Sequence, residues 1–326
     1  MTRKILLLVS LILVVAGASV GPLMPQSAQA GYSEKVTFAD FSRINTPLRA
    51  LGIKAKLLKM EYVTAPGSGQ YGATVFAKDV GNKQLDAHWV PFDPERGGSR
   101  TITYIQDTAE AAANGGVSGA QTASAIDRAM ATWDSQTCAT IPIIKGVFPA
   151  GTPPMDLGVV QYIMGYGGLA GWYADITHAG WLGRAFFDEL AEGGGDYILG
   201  VTFTFVWVDN NGDPVDTNRD RKDDVAFREI YYNNSFLWSV QGPGPYDPEF
   251  DVETVALHES GHGLSQGHFG QIFNDGYGTK APGFQPAHLH FAPEAVMNAV
   301  VWGTKRALMN TDIGGYCSIW ASWPMK

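Results

Sequence analysis

Three histidines and a glutamate fall together in His258-Glu259-Ser260-Gly261-His262-Gly263-Leu264-Ser265-Gln266-Gly267-His268. On a helix, residues four apart share a face, so His258 and His262 can grip one metal ion from the same side while Glu259 projects beside them. A catalytic zinc takes three protein ligands and keeps a fourth position for water. His268 becomes the third ligand once the helix stops after His262 and the chain turns back, and Gly263 and Gly267 offer places for that stop. Three neutral imidazoles suit zinc, which brings the pKa of a bound water to about 7. Glu259 would take that water's proton and pass it to a leaving amine. The plainer alternative is a helix carrying two surface histidines.

The elements that must hold these residues can be read around them. Apolar residues lead into the motif, and Asp251 stands where an N-cap belongs, so a helix is expected over Val252–Gly263. Residues 101–105 alternate as a strand does, and residues 119–133 place Ala123, Ile126, Met130 and Trp133 at helical spacing. Further strands are expected at 141–144, 157–163, 174–178 and 199–208, separated by glycine-rich turns. The fold class implied is α/β, of the α+β kind. Residues 31–87, with candidate strands at 56–63 and 72–76, carry no motif and read as an N-terminal extension or propeptide.

The chain has 326 residues, 45% hydrophobic and 17% charged, enough for a sizeable core. Residues 1–30 begin with Arg3 and Lys4, continue through an apolar run and end in Ala28-Gln29-Ala30, the three regions of a secretory signal peptide. Cleavage after Ala30 is expected, giving a secreted protein with no stable membrane association; an uncleaved anchor is the competing reading. The cleaved chain would carry 21 Lys+Arg against 32 Asp+Glu, a net charge of −11. That acidity argues against nucleic acid as a partner and leaves a protein or peptide substrate, bound by a monomer. Cys138 and Cys317 could form one disulfide or remain two buried thiols.

Calcium is a second candidate ion. Asp209, Asn211, Asp213, Asp216, Asn218, Asp220, Asp223 and Asp224 set oxygen-bearing side chains at spacings like the first half of a calcium loop. The sixth-position glycine of such a loop is missing, and a solvated acidic turn is the alternative. His178, near Asp175, could join a second zinc, although a strand histidine is more often packed. His288 and His290 read as surface loop residues or as part of a substrate pocket wall.

With Thr254-Val255-Ala256-Leu257 before the histidine motif and Ala295-Val296-Met297-Asn298 after it, the chain resembles the metzincin metallopeptidases, and among them the matrixins. Asp312-Ile313-Gly314-Gly315-Tyr316 is similar to the start of the matrixin C-terminal helix. The resemblance covers residues 88–326. It implies a twisted mixed sheet with an active-site helix and a C-terminal helix. His258, His262 and His268 would be zinc ligands, Glu259 the general base and Met297 the floor beneath the metal. It implies a zinc-dependent endopeptidase whose substrate pairs with an edge strand at 200–208. Ala299, two residues after Met297, agrees with the matrixin side. Ser265 stands where the family pattern has glycine, so a left-handed backbone there would cost roughly 1–2 kcal/mol unless Gly263 or Gly267 moves the turn. No cysteine precedes Cys138, so cysteine-based latency has no residue to operate it. Two other functions stay open: a catalytically silent exported metal-binding or structural protein, and a zinc hydrolase of non-peptide amides.

Overall fold

The structure, a computed structural model, describes residues 41–76, 87–107, 112–148, 155–242, 249–269, 272–274 and 294–325. Residues 1–30, where the signal peptide is expected, and His288 and His290 lie outside the described residues. Among those described, no helix is long and apolar enough to cross a membrane.

The frame is a nine-stranded mixed sheet. Its strands are β1 (Ala55–Thr64), β2 (Ala73–Phe76), β3 (Ala87–His88), β4 (Ile102–Gln106), β5 (Ile143–Lys145), β6 (Ile176–Leu182), β7 (Ile198–Trp207), β8 (Asp223–Asn233) and β9 (Ile272–Asn274). They lie in the order β9-β2-β1-β7-β8-β6-β4-β5, with β3 added beside β8. β8, β6, β4 and β5 run parallel, whereas β7 is antiparallel to both β8 and β1. Six α-helices complete the described fold: α1 (Ser42–Ala50), α2 (Gly119–Asp134), α3 (Val159–Met164), α4 (Arg184–Leu190), α5 (Val252–Gly263) and α6 (Asn310–Trp320). The α/β expectation therefore holds at the level of a mixed sheet with helices.

Strand alternation sorts the core into two layers. On one face, Leu199, Ile230 and Tyr232 pack with Ile126, Met130 and Trp133 of α2 and with Val255 and Leu257 of α5. On the other, Phe203, Phe205, Phe227 and Tyr231 meet Ile44 and Leu48 of α1, Val159 of α3, and Phe186 and Phe187 of α4. A sheet covered on both faces explains why β7 and β8 read as continuous runs with little polar relief. The disulfide Cys138–Cys317 ties the chain just after α2 to α6.

α2 starts on a capping box: Ser118 Oγ accepts from Gln121 N, and Gln121 Oε1 accepts from Ser118 N. Its buried stripe is Thr122, Ala125, Ile126, Ala129, Met130 and Trp133, so the sequence reading held except that Thr122 faces inward in place of Ala123. Residues 157–163 are a correction. They were expected as a strand, but Val159–Met164 is helical, because the Glu229 carboxylate on β8 accepts from Val159 N at 2.6 Å and Val160 N at 3.0 Å. That cap comes from 70 residues away, so no local pattern announces it.

Candidate metal centre

The site is built on α5. Asp251 is its N-cap, with Oδ2 accepting from Thr254 N at 3.0 Å and from Thr254 Oγ1 at 2.7 Å. Three buried tryptophans supply indole donors to its carbonyls: Trp133 to Leu257 O in mid-helix, and at the other end Trp89 to Gly263 O and Trp320 to Leu264 O. A buried helix end with its carbonyls so satisfied can stop without a glycine C-cap.

The stop falls where the sequence made it most costly. Ser265 has φ 65°, and neither Gly263 nor Gly267 takes the left-handed position. Arg228, on β8 and fully buried, holds the turn: its guanidinium donates to His262 O and, at 3.0 Å, to Ser265 Oγ. This fork ties the strained residue to the last turn of the helix. The chain then reverses, Phe269 N donates to Met297 O, and His268 arrives over the helix.

The Nε2 atoms of His258, His262 and His268 stand 3.1 Å from one another in all three pairings. His258 Nδ1 lies 2.7 Å from Val296 O and His262 Nδ1 2.8 Å from Gln266 O. A carbonyl only accepts, so both rings carry their proton on Nδ1 and present bare Nε2 lone pairs to one another. Lone pairs converging at that distance repel unless a cation lies among them. Burial pushes His258 down to about 4, and pushes His262 and His268 well below the ordinary histidine value, so all three are neutral donors. The three histidines therefore sit close enough to bind one metal ion.

Glu259 is fully buried, with Oε2 accepting from Thr202 Oγ1 at 2.6 Å. Burial drives its carboxyl well above the usual range; the Thr202 hydrogen bond opposes that and the nearby charge of Glu61 adds to it. Met297 lies beneath the helix, fully buried. Asp312 of α6 fixes the Met297 turn by accepting from Met297 N at 3.0 Å and Val296 N at 2.9 Å. A Cβ on Gly261 would overlap Met297 Sδ and come within 2.9 Å of Trp133 Cζ2. Gly261→Ala should thus destabilise the fold by about 1–3 kcal/mol, read as a lower midpoint in urea.

Other expected ligands are not gathered. Asp209 Oδ1 accepts from the amides of Asn211 and Asp213, Asp216 from those of Asp220 and Arg221, and Asp224 Oδ2 from Thr217. Asp220 Oδ2 lies 2.6 Å from His88 Nε2. Among the described residues the histidine triad is the group of three His, Cys, Asp or Glu side chains whose ligand atoms converge. Asp175 binds Arg96 at 2.8 Å and Thr103, while His178 Nδ1 meets Tyr232 Oη at 2.7 Å. His178 is a packed histidine, pushed down to about 3 by burial. A base whose folded pKa is depressed stabilises the fold fully above its ordinary value of 6.5, and that stability is lost as pH falls from there towards 3. Melting temperatures between pH 4 and 7 should fall less steeply for His178→Gln than for the wild-type chain.

No family model and no curated protein matches this chain.

The edge-strand expectation needs correction. Residues 200–207 belong to β7, which is flanked by β8 on one side and β1 on the other. The sequence gives residues 56–63 no role, yet Lys59 and Glu61 are buried in that strand. Arg228, Thr202 and Asp312 were also missed as supporting residues. Arg228-Glu229 interrupts the apolar run of β8, which hid the strand and its two buried charges together.

Proposed function

We propose that this chain is a secreted, zinc-dependent endopeptidase of metzincin type, similar to the matrixins. The observation that carries this reading is the triangle of three histidine Nε2 atoms on and beside the helix that also carries Glu259, packed on Met297. Nitrogens at ~2.0–2.1 Å from a tetrahedral ion stand roughly 3.3 Å apart, close to the 3.1 Å found between these three. A donor set of three neutral imidazoles fits zinc better than calcium or magnesium, which favour oxygen.

Zinc held by His258, His262 and His268 would supply Lewis acidity to a water and a peptide carbonyl. Glu259 would act as the base for the attacking water and would then return the proton to the departing amine. Thr202 holds one oxygen of Glu259, leaving Oε1 without a hydrogen-bond partner and free for proton transfer. The carbonyls of Val296 and Gln266 fix two ligand rings through their Nδ1 protons, a support that keeps the donors aimed.

Complete burial of the triad favours a second reading, a silent exported protein that keeps the metal structurally, since closed sites are typical of structural zinc. Casein cleavage separates the two. Zinc-loaded protein, intact and after limited proteolysis of its N-terminal part, is expected to degrade casein in at least the second form. Chelation should abolish cleavage and added zinc restore it. Protein that binds zinc yet leaves casein and a broad peptide library uncut in both forms is the silent protein.

A further inference from the structure

β1 runs in the interior of the sheet, antiparallel to β2 along one edge and to β7 along the other. The two registers set Glu61 opposite Thr74 on β2 and opposite Thr202 on β7, so these three side chains form one polar row across the sheet. The row lies on the face that α5 covers. Thr202 Oγ1 donates to Glu259 Oε2 at 2.6 Å. Glu61 Oε1 accepts from Thr74 Oγ1 at 3.2 Å and stands 3.6 Å from His262 Nδ1. One row of the sheet therefore meets both the candidate base and a candidate metal ligand.

The Glu61 carboxylate is held from two sides. Besides the Thr74 hydroxyl, Lys59 Nζ pairs with its Oε2 at 3.0 Å, and that ammonium lies 5.9 Å from the centre of the Phe76 ring. Lys59 and Glu61 are 2% and 0% exposed. Attraction within a buried ion pair recovers little more than the cost of taking both charges out of water, and apolar side chains of similar size often fill such a space with no loss of stability. Stability alone thus gives no reason for the pair, whereas its position does. His262 Nδ1 already donates to Gln266 O at 2.8 Å. At 3.6 Å the Glu61 carboxylate adds charge to that ring and not a second hydrogen bond. A ring that gives its Nε2 lone pair to a cation becomes more positive, and a fixed carboxylate beside its Nδ1 proton stabilises the change. Burial removes the water that would screen the effect.

We propose that Glu61 is a positioning residue of the metal centre: its carboxylate, anchored by Lys59 and Thr74, holds negative charge against the His262 ring and strengthens that ring as a ligand. The metal-binding unit then includes β1 and begins ahead of residue 88. The proposal rests on the metal-binding part of the metallopeptidase reading and not on peptide cleavage.

The test compares zinc affinity of the full chain, by competition with a chromophoric chelator, with the urea midpoint of the same protein free of metal. Glu61→Gln keeps the size of the side chain and can accept from Thr74, but it leaves the Lys59 charge uncompensated, so affinity is expected to fall by about 100-fold. Lys59→Met/Glu61→Gln removes both charges. It should keep the metal-free midpoint close to the wild-type value and still lose about 10-fold in zinc affinity. A pair that served only the fold would show affinity following the midpoint. The cobalt-loaded double variant should also have its visible ligand-field bands displaced, because the donor strength of His262 has changed.

Wild-type zinc affinity in the double variant, with cobalt bands at the wild-type wavelengths, overturns the proposal. Casein hydrolysis by the same samples keeps it apart from the endopeptidase reading. Affinity that falls as expected in a protein that never cuts casein supports the role of Glu61 and removes the endopeptidase. Casein cleavage with zinc affinity unchanged in both variants does the reverse.

Discussion

Glu259→Gln should lower hydrolysis of a quenched peptide by about 10²–10⁴-fold, measured after limited proteolysis of the N-terminal part, while metal content stays at the wild-type level. The separation of the two readouts follows from the site. Three imidazoles, and no carboxylate, make up the converging donor group, so removing the acid leaves the ligands intact. Glutamine preserves the size of the side chain and can still accept from Thr202 Oγ1, which holds Glu259 Oε2 at 2.6 Å in the wild type. Only the capacity to take a proton is lost. A change to alanine would confuse the result, because Gly200 approaches so closely that a Cβ there would lie 3.0 Å from Glu259 Cγ, and an empty site could collapse. Cleavage by Glu259→Gln at the wild-type rate would remove the base from the mechanism. Loss of metal together with activity would instead make Glu259 a supporting ligand.

How much of this was legible depends on whether the cause was local. Val252–Gly263 with its Asp251 cap and the stripe of α2 were readable because capping and helical periodicity act within a few residues. The histidine spacing was readable for the same reason, and Ser265 at φ 65° confirms where the turn must lie. What made that turn tolerable was not readable: the donor is Arg228, 37 residues earlier in the chain and brought there by strand order. Glu229, its neighbour, faces the opposite layer and caps α3, which turned an apparent strand into a helix. β1 was recognised as a strand, but its place beside β7 depends on sheet order, which its own residues do not encode. Lys59 and Glu61 would have looked like ordinary surface charges until their burial was known.

Arg228→Met should show how much of the third ligand depends on that distant donor. The methionine keeps an unbranched apolar stem but supplies neither hydrogen bond, leaving His262 O and Ser265 Oγ without the guanidinium. Ser265 N still donates to His262 O, so what is lost is two hydrogen bonds from a buried charged donor, and a stability loss of roughly 2–4 kcal/mol is expected in denaturant unfolding. Zinc affinity should fall as well, by about 10–100-fold in a competition titration with a chelator, because the turn that delivers His268 loses its support. Lys in place of Arg keeps a charge but not the planar fork, and should recover only part of either quantity. Ser265→Gly is the informative partner. It relieves a left-handed backbone worth roughly 1–2 kcal/mol and gives up the contact from Arg228 Nη2 at 3.0 Å, so its net effect should be small. In the Ser265→Gly background, Arg228→Met should cost less than in the wild type, because one of the two acceptors is gone. Equal costs in both backgrounds would mean that the fork acts through His262 O alone and that Ser265 holds its conformation unaided.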